Sequence, residues 1–415
     1  MNKIRLTNNW EYLKGDLGGI WEAVRPAAPG SSEAVPIWQP VTLPHCFNAE
    51  DAVDPDVNYY EGPGWYKTLL AIDNPYRNGR IVLDFDGAGQ KTDVYVYTTH
   101  VGSHVGGYDS WNVDITDAVK AFLGSKDAER FKGKVPLSIR CDNSRDLEMI
   151  PSDLADFNIY GGLYRYLNLV YLPEVSFEQI GLESSLSSNL KEGILKVKTS
   201  FYNPEDIRKA DVTVSVYDVD RKPVFSKTLE GILPLGDQLL AEMKIKNPVL
   251  WDVDVPQLYT CELTVKTPDQ TFTTEERFGF RHTEFKDKGP FFLNGKRLLL
   301  RGTHRHEDHA GVAQAMTEDM MRREMRMMKD MGVNFIRLGH YQQSEIILDL
   351  CDELGILVWE EIPWCRGGLG GDVYKKQARR MLANMIVQHH NHPAVIIWGL
   401  GNDCLLYTSD AADDL

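Results

Sequence analysis

The chain is poor in cysteine, in long apolar runs and in positive charge. Six cysteines stand at 46, 141, 261, 351, 365 and 404, and none forms a CxxC pair. That scatter argues against a zinc ribbon or a dithiol redox centre. No stretch approaches ~18 uninterrupted apolar residues, so no transmembrane helix is expected. Residues 1–10 lack the apolar run of a signal peptide. The cytoplasm is therefore the expected compartment, with the periplasm as the alternative should an export signal precede Met1. Lysine and arginine number 45 against 60 acidic residues, a formal net charge of −15. Such a surface repels nucleic acid and anionic membranes, so neither is expected as a partner. A neutral or cationic small ligand fits better. There is no internal repeat.

What is present reads as several globular domains. The 415 residues are 43% hydrophobic and 25% charged, enough for two to four folded units. Aromatics make up 10%. Sugar sites stack on aromatic faces, but cores use the same residues, so composition alone favours core. Up to about 172 the pattern is all-β, with alternating runs at 81–85 and 92–97 and a short helical stretch at 115–123. Residues 174–284 carry further short strands, at 195–199, 212–217 and 258–265, and suggest an immunoglobulin-like sandwich.

From about 290 apolar strands alternate with amphipathic helices. Strands are expected at 298–302, 334–338, 356–360 and 395–399. Helices are expected at 317–331, 343–354 and 373–390, the first capped by Thr317. Four βα units imply a parallel sheet and half of a (β/α)8 barrel. A whole barrel takes roughly 250 residues, about twice the stretch that follows 290. Residues 404–415 break the scheme. A helix is expected there, and a short acidic tail stands instead.

Barrel chemistry sits at the C-terminal strand ends. After the first run come His304, Arg305, His306, Glu307, Asp308 and His309. After the second come His340 and Tyr341. The third ends in Glu360, Glu361 and Trp364, and the fourth in Asn402 and Asp403. Three readings compete. A carboxylate pair suits glycoside hydrolysis. His304-x-His306 with His340 and Asp403 suits a metallohydrolase. The third reading has these groups merely satisfying hydrogen bonds at the barrel mouth.

The run Asn294-Gly295-Lys296-Arg297 through Arg301-Gly302-Thr303-His304-Arg305-His306-Glu307 resembles the barrel entry of glycoside hydrolase family 2. So do Asn334-Phe335-Ile336-Arg337-Leu338-Gly339-His340-Tyr341 and Asn391-His392-Pro393 through Trp398-Gly399-Leu400-Gly401-Asn402. Upstream, Gly64-Trp65-Tyr66, 101–108 and 156–165 resemble the family's sugar-binding domain, and Phe278-Gly279-Phe280-Arg281 its sandwich end.

The resemblance implies a sugar-binding, jelly-roll-like β-sandwich at 1–173 and an immunoglobulin-like β-sandwich at 174–284. The first half of a TIM barrel at 285–403 and a non-native-looking tail at 404–415 complete the chain. It implies a retaining exo-β-glycosidase, an O-glycosyl hydrolase of carbohydrate catabolism. A β-galactosidase is the first choice. A β-glucuronidase of the same family and a non-catalytic carbohydrate-binding protein are the alternatives. The partner is a mono- or oligosaccharide, with a homo-oligomer open to the parent enzyme. No cofactor or metal is required, because Trp364-Cys365-Arg366 does not match the metal-binding pair of some family members.

By the same resemblance Asn402 bonds the sugar 2-hydroxyl. His306, His340, Glu361 and Trp364 line the subsite, and Asp156 reaches in from the first domain. Position 403 is the family's acid/base, a Glu that is Asp here. One methylene withdraws the proton donor by about 1.5 Å, and a misplacement near 1 Å can cost about a hundredfold. Glu and Asp codons differ only in the third base, so a fragment junction in codon 403 explains both the Asp and the tail. The family nucleophile belongs to a later strand, and the fragment is expected to be inactive.

Overall fold

The computed structural model describes residues 2–26, 36–152, 155–204, 209–366 and 370–402. Asp403 and the tail 404–415 lie outside the described residues. In the first unit a four-stranded sheet runs in the order Asn2–Arg5, Leu167–Leu172, Arg80–Phe85, Trp111–Asp114. A six-stranded sheet opposes it, centred on Pro63–Leu70, Val135–Asp142 and Lys91–Val96. Lys91–Val96 buries every second side chain, as a strand with one face on a core must. Leu83 and Phe85 of one sheet share that core with Val94 and Ile139 of the other. The short helix forms over Thr116–Leu123 and closes the core with Val119 and Phe122.

Among the described residues the second unit has three strands against four. Ser176–Leu186, Glu192–Tyr202 and Gly236–Lys246 form one sheet, and Pro223–Ile232, Ala210–Tyr217, Tyr259–Lys266 and Thr271–Phe278 the other. That is the strand count of an immunoglobulin-like constant sandwich.

The third unit is a parallel sheet with strands in sequence order. Its elements are β1 (Gly302–Arg305), α1 (Glu318–Asp330), β2 (Phe335–Leu338), α2 (Glu345–Leu354), β3 (Leu357–Glu361), α3 (Asp372–His389) and β4 (Val395–Gly399). The Thr317 hydroxyl accepts from the Met320 N–H, and the Ser344 hydroxyl from the Ile346 N–H, so both helices start on a side-chain cap. Gly355, at φ 69°, ends α2 in the left-handed region.

One expected strand is displaced. The apolar run at 298–302 is not a buried strand; β1 begins only at Gly302, and Leu299 is 69% exposed. The Asn334 side chain explains the shift. Its amide donates to the Leu299 carbonyl and accepts from the Arg301 N–H. Two main-chain groups are thus satisfied by a side chain, and the ladder to β2 starts later.

Candidate functional site

Alternation along β2 buries Ile336 and Leu338 among the helices and turns Arg337 to the opposite face. Arg337 stands in register with Trp359 of β3, its guanidinium carbon 4.8 Å from that ring's centroid. From there it donates to both oxygens of Glu361, at 2.9 Å, and to Asn402 Oδ1, also at 2.9 Å. Glu361 also meets His340 Nδ1 at 2.7 Å. Arg337 thus ties the ends of β2 and β3 to Asn402 beyond β4. The expectation that Glu361 contacts substrate needs correcting. It is wholly buried with both oxygens occupied, so it positions Arg337 and His340.

His340 and His306 stand together at the mouth with His304, with ring centroids 4.7 to 5.3 Å apart. Burial first, and then the neighbouring His340, hold His304 and His306 below the ordinary imidazole value. Phe157 of the first domain lies 5.8 Å from His306 and 6.1 Å from His340. Beside it, Asp156 accepts from the Cys365 thiol at 3.1 Å and pairs with Arg366 at 3.0 Å. Burial pushes that thiol up to about 11, so it remains a donor. The thiol and then Arg366 hold Asp156 below the usual carboxylate range. The Asn402 N–H donates to the Trp364 carbonyl at 2.8 Å. The Trp364 ring packs on Tyr374, 6.3 Å between centroids.

Asn402, His340, His306, Asp156 and Glu361 therefore meet at one rim built from two domains, where Trp364 contributes its main-chain carbonyl while its ring packs away with Tyr374. Glu360 does not share it. Alternation sends it to the helix face, where it is wholly buried and meets His389 of α3 at 2.8 Å. Below the rim the Arg165 guanidinium donates to both oxygens of buried Glu307, whose Oε2 accepts from the Ser344 N–H.

Sequence reasoning passed over three participants. Arg337 had a signal, a lone charge inside an otherwise apolar strand. Phe157 and Cys365 had none, since their roles exist only once the first domain docks on the barrel.

Residues 19–173 match the family description "Glycosyl hydrolases family 2, sugar binding domain", residues 175–281 match "Glycosyl hydrolases family 2", and residues 284–414 match its "TIM barrel domain". The crystal structure of Parabacteroides merdae β-glucuronidase is 99% identical, covering 96% of this chain and 50% of that chain, with a TM-score of 0.94. The apo structure of Bacteroides uniformis β-glucuronidase 3 is 60% identical over 97% of this chain and 50% of that one, with a TM-score of 0.92. A β-galactosidase of Thermoanaerobacter pseudethanolicus is 28% identical over 94% of this chain and 50% of that protein. The chain spans about half the length of the curated relatives it matches.

Proposed function

The chain belongs to glycosyl hydrolase family 2, and from that premise we propose that it is the sugar-binding front of a retaining exo-β-glucuronidase. The observation that carries the choice of sugar is the 99% identity to the P. merdae β-glucuronidase, against 28% to the β-galactosidase. The β-galactosidase first expected from the family resemblance gives way to that alternative. Strand-end residues that hold the common part of a pyranoside do not tell one sugar from another.

In this reading a sugar sits against His306, His340 and Phe157. Arg337 holds Asn402 Oδ1 and the amide nitrogen donates to Cys365 Sγ at 3.6 Å, so the side chain is oriented for the 2-hydroxyl, a contact that strengthens in the transition state. Asp156, kept ionised, accepts from sugar hydroxyls. Retaining chemistry needs two carboxyl groups about 5–5.5 Å apart. Glu360 and Glu361 are both buried and paired, which supports neither as the nucleophile. Residue 403 keeps the role of acid/base, and no metal is required.

The test places residues 1–402 within a complete barrel and compares kcat/KM for aryl β-glucuronide and aryl β-galactoside. The glucuronide is expected to be preferred at least about tenfold, which is about 1.4 kcal/mol of differential transition-state binding. A galactoside preference overturns the choice of sugar. For the 415-residue chain itself, binding of D-glucuronate without turnover is expected.

A further inference from the structure

We propose that His304, His306 and His340 form a binding site for a divalent transition-metal ion of the zinc, copper, nickel or cobalt class, at the mouth of the sugar subsite. One ring nitrogen of each lies within 4.8 Å of one from the others. Three imidazoles gathered this closely make a common zinc donor set. The strand geometry gathers them. Arg305, between the first two, turns the opposite way to pair with Glu324 and Gln343, so His304 and His306 share a face. Gly339 makes room for the His304 ring; a Cβ there would fall 2.1 Å from His304 Nε2.

The supporting shell is present as well. His340 Nδ1 lies 2.7 Å from Glu361 Oε1 and 3.4 Å from Arg337 Nη2. A carboxylate only accepts, so the closer contact places the proton on Nδ1 and leaves Nε2 to ligate. A carboxylate behind a ligating histidine is the usual means of orienting the ring and raising its basicity. Tetrahedral ligands at 2.0–2.1 Å lie about 3.3 Å from one another, so the imidazoles must close up by roughly 1 Å or more. His304 is exposed and His306 half-buried, and both have that freedom. The second group of ligating side chains, Asp349, Asp352 and His392, is already closed. Asp349 holds Arg277, and Asp352 holds His392 and the Ala394 N–H.

The ion would share space with the sugar, which rests on the placement proposed above. The test is titration of the 415-residue chain with cobalt(II), read by the visible band of the tetrahedral ion, followed by displacement with zinc. One ion per chain is expected. H304A and H306A should each weaken binding at least about tenfold, the least a supporting-shell change costs, with thermal melting unmoved. H309A, on the same loop but outside the trio, should bind as the parent does. Absence of a stoichiometric band, or an equal loss in H309A, overturns the site. D-Glucuronate is expected to lower cobalt affinity. Binding that glucuronate leaves unchanged upholds the metal site and counts against the sugar placement instead.

Discussion

Breaking the Arg165–Glu307 pair should uncouple the first domain from the barrel. Both side chains are almost wholly buried. Arg165 donates twice to Glu307, at 3.2 and 3.3 Å. It also donates to the carbonyls of Tyr108 at 2.8 Å, Gln342 at 2.7 Å and Asp86 at 3.3 Å. R165M keeps the bulk and removes every donor. It leaves a buried carboxylate whose remaining donor among the described residues is the Ser344 N–H, and it removes a donor from three carbonyls. Removing one partner of a buried pair costs about 3–5 kcal/mol. E307Q should cost less, because a neutral amide still accepts from Ser344. The double variant should cost less than the sum of the singles by about 1–3 kcal/mol, the range for groups in one network. Urea unfolding followed by tryptophan fluorescence and circular dichroism measures each midpoint. In R165M the two probes should separate, since docked domains then melt apart. A loss below about 1 kcal/mol in R165M, or strict additivity in the double variant, would refute the reasoning.

Two further outcomes are expected. Burial alone would lower the pKa of His392, but Asp352 at 2.6 Å overcomes it and raises it to about 9. The folded value lies above the unfolded one, so the stabilisation is full below about pH 6.5 and is lost as pH rises through 9. Its size is on the order of 3 kcal/mol. Urea midpoints should fall between pH 6.5 and 9 in the parent and lack that slope in H392Q. At the start of α3, Glu148 of the first domain accepts from the Gly371 and Tyr374 N–H groups, at 2.9 and 3.1 Å. E148A should cost about 1 kcal/mol, the usual worth of a cap, and hydrogen exchange should quicken at 371–375; unchanged exchange there contradicts the capping role.

Much of the barrel was legible because its signals are local. Thr317 and Ser344 cap helices within two or three residues of themselves, and 395–399 is apolar enough to stand as a strand unaided. The run at 298–302 misled for a long-range reason. Its Leu299 carbonyl and Arg301 N–H go to the side chain of Asn334, which apolar periodicity does not register. The strand-end rule located His340, Asn402 and Glu361 but not their division of labour. Position within β3 decides that Glu361 faces Arg337 while its neighbour Glu360 faces α3. Asp156 was reachable only through resemblance, because 209 positions separate it from the Cys365 thiol it accepts from.

The sugar-binding domain is more than a neighbour of the barrel. It holds α3 along its length. Glu148 caps the first turn, Arg380 donates to the Val105 carbonyl, Asn384 to Asp109 at 2.8 Å, and Gln388 to the Ser110 carbonyl at 2.8 Å. The last turn of α3 carries His389, which meets Glu360, and Glu360 adjoins the Glu361 that sets Arg337 and His340. A shift of the first domain would therefore reach the rim by two routes: directly, through Asp156 and Phe157, and indirectly, through α3 and the end of β3. Both routes end on the same few ångströms of surface. A rim that draws a carboxylate from one domain and imidazoles from another keeps its geometry only if the two are clamped, and the buried Arg165–Glu307 pair joins those same two domains.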